Sequence, residues 1–328
     1  MTITDDGKSE NGIDKSDEEE VEQHEERQPV EKNQYSLNDL ADTEESIDIT
    51  MTRADHIPEL TRFNQLKELT IRSNLLKDMN EHLLSLSSLV ELDLYDNQIA
   101  EIAHLDGLVN LQKLDLSYNR IREIRGLDSL KKITELYLVH NKIGEIKGLE
   151  NLLQLELLEL GDNRIKEIRG IGHLIQLKQL FLGKNRIGRI QGLETLTKLQ
   201  KLSLPANRLT KIENLDTLTI LEELYLSDQG LETLEGLPLL PKLTLIDIAN
   251  NAVHELGKLA ELIALEDIWA NDNKVDAWAE VDKLATLDHL ETVYMERNPL
   301  YMKDVTGYRR KMMLALPQIT QLDATNCR

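Results

Sequence analysis

Residues 133–141 read ITELYLVHN, residues 155–163 read LELLELGDN, and residues 177–185 read LKQLFLGKN. The three stretches share one pattern, Leu-x-x-Leu-x-Leu-x-x-Asn with conservative apolar swaps, and lie 22 residues apart. Outward from them the pattern continues in both directions, from LKELTIRSN at residue 66 to LETVYMERN ending at residue 298. The closing residues are Asn74, Asn97, Asn119, Asn141, Asn163, Asn185, Asn207, Gln229, Asn251, Asn273 and Asn298. Eight of the ten intervals between them are 22 residues, the first is 23 and the last is 25.

Eleven copies at a fixed period are the signature of a leucine-rich repeat. The Leu-x-x-Leu-x-Leu segment forms a short strand whose leucines turn inward, and one unit cannot bury that face without stacked neighbours. The fold class expected is an α/β solenoid of leucine-rich repeats. It has about 11–12 repeats of 22 residues, a parallel β-sheet on the concave side, and 3₁₀ or short helical segments on the convex side. The asparagine amide supplies both donor and acceptor to turn backbone that has no ladder partner. By that argument Gln229 is expected to break the ladder, with Gly230 relaxing the turn.

An open solenoid exposes its core, so both ends need caps. Residues 35–65 are assigned to an N-terminal cap and a degenerate first repeat. YSLNDLADTEE favours a short helix there, and a first strand is expected around Ile47 and Ile49, with Thr52 placed 22 residues before Asn74. Residues 66–298 are the repeats and 299–328 a C-terminal cap. In that cap residues 306–316 fit an amphipathic helix with Met312, Leu314 and Leu316 as its apolar face, ended by Pro317 and followed by an extended ITQLDA.

Residues 1–34 hold twelve acidic and four basic side chains and almost nothing apolar, the composition of a disordered acidic tail. Such a tail serves as a solvated head, an acidic docking arm or a phosphorylation target around Ser16. The chain has 59 acidic and 38 basic residues, for a net charge of −21, which argues against nucleic acid and anionic membranes as partners. Cys327 is the one cysteine, so neither a disulfide framework nor a Cys-based zinc site is available. No apolar run has transmembrane length and the acidic N-terminus is unlike a targeting peptide. These features fit a soluble cytosolic or nuclear protein.

The eight histidines are not paired at ligand spacing, and there is no Gly-rich phosphate loop, Gly-x-Ser-x-Gly or His-Glu-x-x-His. With no nucleophile beside a base, no cofactor and no metal site, the reading is a binding protein and not an enzyme. Strand alternation then identifies the surface. The residue between the two closely spaced apolar positions of each repeat points away from the core, onto the concave face. That column reads Thr70, Asp93, Asp115, Tyr137, Glu159, Phe181, Ser203, Tyr225, Asp247, Trp269 and Tyr294. Five of its eleven members are aromatic, in a chain with two Phe, eight Tyr and two Trp; four are acidic and none is basic. Stacked neighbours in a parallel sheet account for one or two aromatics. Aromatic anchors among carboxylates are better explained as an interface. Glu68, Glu91, Glu135, Glu223 and Asp267 lie on the same face, so the expected partner is basic with apolar pockets.

The 22-residue repeats, the segments LFLGKNRI, LTKIENL, LEELYLS and LETVYMERNPL, and the ending YRRKMMLALPQITQLDAT resemble the leucine-rich-repeat regulatory subunits of protein phosphatase-1, the type numbered regulatory subunit 7. The resemblance runs from about residue 45 to the end. It implies a nuclear and cytoplasmic protein, monomeric when free, that holds the phosphatase catalytic subunit on its concave face. It also implies a role in assembly of phosphatase complexes and mitotic chromosome segregation, and a ternary complex with the small inhibitor-3. Carried onto this sequence, the family's contact positions are Asp115, Tyr137, Glu159, Phe181, Asp247, Asp267, Trp269 and Tyr294; Asp93 and Tyr225, from the same outward column, are expected as secondary contacts. Tyr137 and Asp267 stand as conservative variants of the family's Phe and Glu.

The short phosphatase docking motif, a basic residue followed by Val or Ile, any residue, then Phe or Trp, is absent; KVDAW at 274–278 has one residue too many between Val275 and Trp278. The competing reading is a scaffold or adaptor for a different basic protein, in an RNA-processing, chromatin or cytoskeletal complex.

Overall fold

A computed structural model describes residues 31–327. Fourteen strands form one sheet in sequence order. Its twelve principal strands have three residues each. They are β1 (Ser46–Asp48), β2 (Glu68–Thr70), β3 (Glu91–Asp93), β4 (Lys113–Asp115), β5 (Glu135–Tyr137) and β6 (Leu157–Glu159), then β7 (Gln179–Phe181), β8 (Lys201–Ser203), β9 (Glu223–Tyr225), β10 (Leu245–Asp247), β11 (Asp267–Trp269) and β12 (Thr292–Tyr294). Each pairs in parallel with the next, in a register that puts like repeat positions side by side: Leu158 lies beside Leu136 and Leu180, and Glu159 beside Tyr137 and Phe181. The middle residue of every strand is buried, and its flanking residues face out of the sheet.

The core is a continuous stack of these leucines with the apolar residues of the return segments, from Ile47 to Leu322. No repeat could bury that area alone, because each row of side chains is covered by the rows of the turns on either side. Two devices make the chain turn back. The residue before each closing Asn or Gln adopts a left-handed conformation, with φ between 51° and 58° from Ser73 to Arg297. In the seven consecutive units closed by Asn97 to Gln229 a second left-handed residue follows seven positions later, glycine in five of them and His104 and Asn214 in the other two. At Gly148 (φ 72°) a Cβ would come within 2.3 Å of the Ile124 carbonyl oxygen of the preceding turn, so the close approach requires glycine.

The asparagines work as the sequence implies. Asn163 accepts from the Ile143 N–H through Oδ1 (3.0 Å), and its Nδ2 donates to the carbonyls of Leu138, Leu160 and Gly161 (2.9–3.1 Å). The expectation that Gln229 breaks this ladder is corrected. Its longer amide accepts from Leu209 N–H (2.9 Å) and donates to the Leu204 carbonyl (2.5 Å), the same two partners on the preceding turn. Gly230 is not left-handed and its N–H bonds to the Leu209 carbonyl (3.0 Å), so it relaxes nothing.

On the outer side most 22-residue units return through two consecutive turns. The described 3₁₀ helices are Glu81–Ser85, in the 23-residue unit, with Leu259–Glu261 and Lys283–Thr286. The 25-residue unit uses its extra length for α1 (Trp278–Asp282). At the N-terminus β1 is present with Ile47 and Ile49 buried, and the Thr52 hydroxyl meets Asn74 Oδ1 at 3.3 Å, in the place of a ladder amide. The short helix expected over 35–45 is absent; that segment makes isolated turns closed by Leu40 N–H to Leu37 O and Glu44 N–H to Ala41 O (both 3.1 Å). Residues 32–34, grouped with the acidic tail by composition, bond to this first turn through Asn33 N–H to Arg53 O (3.2 Å) and Gln34 N–H to Thr52 O (2.7 Å). Residues 1–30 of the tail, Ser16 included, lie outside the described residues.

At the C-terminus α2 (Pro299–Lys303) and α3 (Val305–Ala315) precede β13 (Gln321–Leu322), which pairs in parallel with β12, and β14 (Thr325–Asn326), which turns back antiparallel. Helix α3 starts where Asp304 accepts from Gly307 N–H (2.9 Å). Its buried residues are Tyr308 and Met312, four apart, and Leu316 follows on the same side. Leu314, expected on that face, is 71% exposed, because two residues past Met312 is the opposite side of a helix.

Candidate partner-binding face of the sheet

Every site residue taken from the sequence lies on one surface. Asp93, Asp115, Tyr137, Glu159, Phe181, Tyr225, Asp247, Trp269 and Tyr294 end their strands β3–β7 and β9–β12, and Asp267 opens β11 beside Trp269. The register makes the column continuous from Asp93 to Tyr294, with Ser203 of β8 dividing it.

On each side of Ser203 a carboxylate stands between aromatic rings. Glu159 lies between Tyr137 and Phe181. Its Oε1 accepts from Gly161 N–H at 2.8 Å, and a Cβ on Gly161 would sit 2.8 Å from that oxygen. Burial with this single compensating bond pushes the Glu159 carboxyl up to about 7. Asp247 lies between Tyr225 and Trp269 and is itself buried, at 8% exposure. Oδ1 of Asp247 accepts from Ala249 N–H (2.9 Å). Burial raises its carboxyl, with the Ser227 hydroxyl and the Ala249 amide pulling the other way. The rings over Asp247 touch: Trp269 meets Tyr225 and Tyr294 edge-on, each with centroids 6.1 Å apart. No cation contributes to the balance at either carboxylate.

Cations on the sheet are engaged elsewhere. Lys201 pairs with Glu223 (2.7 Å) and Lys113 with Glu91 (3.5 Å). Asp93 is raised chiefly by burial, but Arg72 lies 3.1 Å from it. The glutamates two residues before Tyr137 and Tyr225 have a role the sequence did not reveal. Glu135 accepts from the Tyr137 hydroxyl (2.8 Å) and Glu223 from that of Tyr225 (2.5 Å), tethering both rings; burial and these bonds raise both phenols. The Tyr294 hydroxyl accepts from Gln321 of the cap (2.9 Å).

A second file of rings, part tilted and part stacked, flanks the first repeats. The Arg72 guanidinium lies over Tyr95 (4.3 Å), Tyr95 against Tyr118 (4.9 Å) and Tyr118 on His140 (4.8 Å), with His140 Nδ1 2.6 Å from Asp162. Reading the two residues before the closing asparagine of LDLYDN, LDLSYN and LYLVHN as columns would have found it.

Among the described residues no group of three His, Cys, Asp or Glu side chains could hold a metal ion, and no helix is long and apolar enough to cross a membrane.

Over 82 residues the chain is 53% identical to the protein phosphatase 1 regulatory subunit SDS22 homolog of Caenorhabditis elegans, covering 25% of each chain. Over 51 residues it is 55% identical to the human protein phosphatase 1 regulatory subunit 7, covering 16% of this chain and 14% of that one. The matched stretch thus spans a quarter or less of these relatives' length. Among solved structures, an internalin (inlF) of Listeria monocytogenes superposes with a TM-score of 0.68 at 21% identity, over 86% of this chain and 87% of that one, a likeness of fold. A leucine-rich-repeat profile matches residues 132–226 and 221–328, and further leucine-rich-repeat profiles match 64–121 and 109–151. Matched over more than half of its length, the chain belongs to the leucine-rich-repeat family.

Proposed function

We propose that this protein is a non-catalytic regulatory subunit that binds the catalytic subunit of protein phosphatase-1 on the strand-end column of its sheet. The observation that carries the reading is the pair of cation-free carboxylates, Glu159 and Asp247, each held between aromatic rings. A buried carboxylate without a counter-cation is unfavourable in the free protein, and a partner's Lys or Arg entering the slot relieves it. Rings of Tyr137, Phe181, Tyr225, Trp269 and Tyr294 then supply the apolar anchors that dominate protein interfaces. The names of the relatives supply the phosphatase.

On this reading Asp115, Asp267 and Asp93 complete the acidic rim, and the free protein is a monomer. The same reading extends to control of phosphatase assembly or targeting in the nucleus and cytoplasm, including in mitosis, and to a ternary complex with inhibitor-3.

The test is binding of purified phosphatase catalytic subunit to the wild type and to Glu159→Ala/Trp269→Ala, with phosphatase activity read in the same tubes. Binding by the wild type alone is expected, and the activity then shows whether holding means inhibiting. Equal binding by both would remove the partner from this face. No binding by either would leave the adaptor reading, with a different basic protein as partner.

A further inference from the structure

The edge of the solenoid that follows the closing asparagines carries charge of the opposite sign. In five consecutive turns the residue after that asparagine is basic: Arg120, Lys142, Arg164, Arg186 and Arg208. The corresponding residues before and after this run, Gln98 and Gly230, are uncharged. The four arginines are exposed. None of the five side chains makes an ion pair or hydrogen bond with a described residue.

Their backbones are fixed. Each N–H donates to an isoleucine carbonyl of the preceding turn, from Arg120 to Ile99 (2.8 Å) through Arg208 to Ile187 (2.8 Å). The five charges therefore stand in file at roughly the 5 Å spacing of neighbouring strands, over about 20 Å. Glutamates further along the same edge do not neutralise them. Glu101, Glu123 and Glu145 are each engaged by a cation of the next turn, Arg125, Lys147 and Arg169, at 2.6–2.7 Å. Beside the file, Gly144 leaves open space between the likewise unpaired Arg122 and Lys166, and a notch of about 400 Å³ opens there.

We propose that this edge, Arg120 to Arg208 with the notch at Gly144, docks an extended acidic peptide segment whose carboxylates lie along the cationic file. Guanidinium forks take carboxylates in two parallel hydrogen bonds, and the backbone that carries the cations is already fixed in file before the peptide arrives. The rest of the molecule favours a peptide over a nucleic acid. A single file flanked by glutamates, on a chain of net charge −21, repels a polyanion that runs beyond it.

The probe is a fluorescein-labelled decapeptide of alternating Asp and Glu, followed by anisotropy at low salt with the full chain, beside a single-stranded ten-mer of uridylate. The peptide is expected to bind the wild type, to weaken with added salt, and to weaken tenfold or more with Arg164→Glu/Arg186→Glu. Both replaced side chains are exposed and unpaired, so the melting temperature of that variant stays that of the wild type. Trp269→Ala leaves the peptide's affinity unchanged, which separates this edge from the sheet face. No binding by the wild type, equal binding by the charge-reversed chain, or tighter binding of the uridylate would each overturn the proposal.

Discussion

The Tyr137–Glu159–Phe181 cluster and the Tyr225–Asp247–Trp269 cluster repeat one arrangement on the same sheet, yet they are stabilised differently. At Asp247 the short side chain reaches both the Ala249 amide and the Ser227 hydroxyl, and the rings over it are locked by two edge contacts, with Tyr294 as the outer wall. At Glu159 the longer side chain has one amide, and beyond Phe181 the next column residue is Ser203, so the rings do not close over the carboxylate. The first cluster is poised by charge and the second by apolar surface. Removing a ring should therefore matter most at the second, and removing a charge most at the first.

Trp269→Ala tests the apolar half and carries the largest expected effect. It should weaken phosphatase binding by roughly 2 kcal/mol or more, because a central aromatic anchor is lost. Its cost in folding should be about 1 kcal/mol, the worth of the ring contacts. Isothermal titration beside thermal melting separates the two. A melting loss as large as the binding loss would make Trp269 a core residue and collapse the distinction.

Glu159→Gln tests the charged half without any partner. Its carboxyl sits near 7 in the folded chain against an ordinary 4.5, so between those values the folded state holds a proton that the unfolded state releases. Stability from this group is therefore full below about pH 4.5 and lost as pH rises to 7. The glutamine keeps the bond from Gly161 and carries no charge to desolvate. Melts from pH 4 to pH 8 should show the variant level with the wild type at pH 4 and ahead at pH 8, by roughly 1–3 kcal/mol. Asp247→Asn should move the same way by less, given its second hydrogen bond; the reverse order would undo the comparison.

Phe181→Ala should weaken binding by about 1 kcal/mol, less than Trp269→Ala, since its ring has no aromatic partner to hold it. Asp93→Asn comes last. Arg72 already engages this carboxylate, so the change should appear in the salt dependence of the association rate, with an affinity change of a few tenths of a kcal/mol.

How far each feature could be read in advance depended on whether it is local. The solenoid follows from the asparagine period, because every turn repeats one set of short-range bonds. Strand alternation likewise placed the whole column, because a three-residue strand has only one way to point its outer residues. Gln229 keeps the ladder against expectation because reach, not identity, decides whether an amide meets its two partners on the preceding turn. Leu314 was assigned to the wrong side because three apolar residues two apart cannot share one helix face, and only packing against the last repeats chooses among them. At the site, the missing cations were invisible in the sequence. Lys201 is one strand from Phe181, and nothing local says that Glu223 rather than a column carboxylate takes it.

The asparagine ladder has a direction. Asn163 bonds to Leu138 and Ile143, Asn185 to Leu160 and Ile165, and Gln229 to Leu204 and Leu209; each reaches one turn back, toward the N-terminus. A ribosome delivers the chain in that same order. Each amide therefore emerges when the carbonyl and N–H it needs are already in place, and the growing end always offers a finished template to the next 22 residues. A chain assembled from its C-terminal end would leave every new turn's amide waiting for a level not yet built. The solenoid is suited to folding at the pace of its own synthesis, one level per repeat.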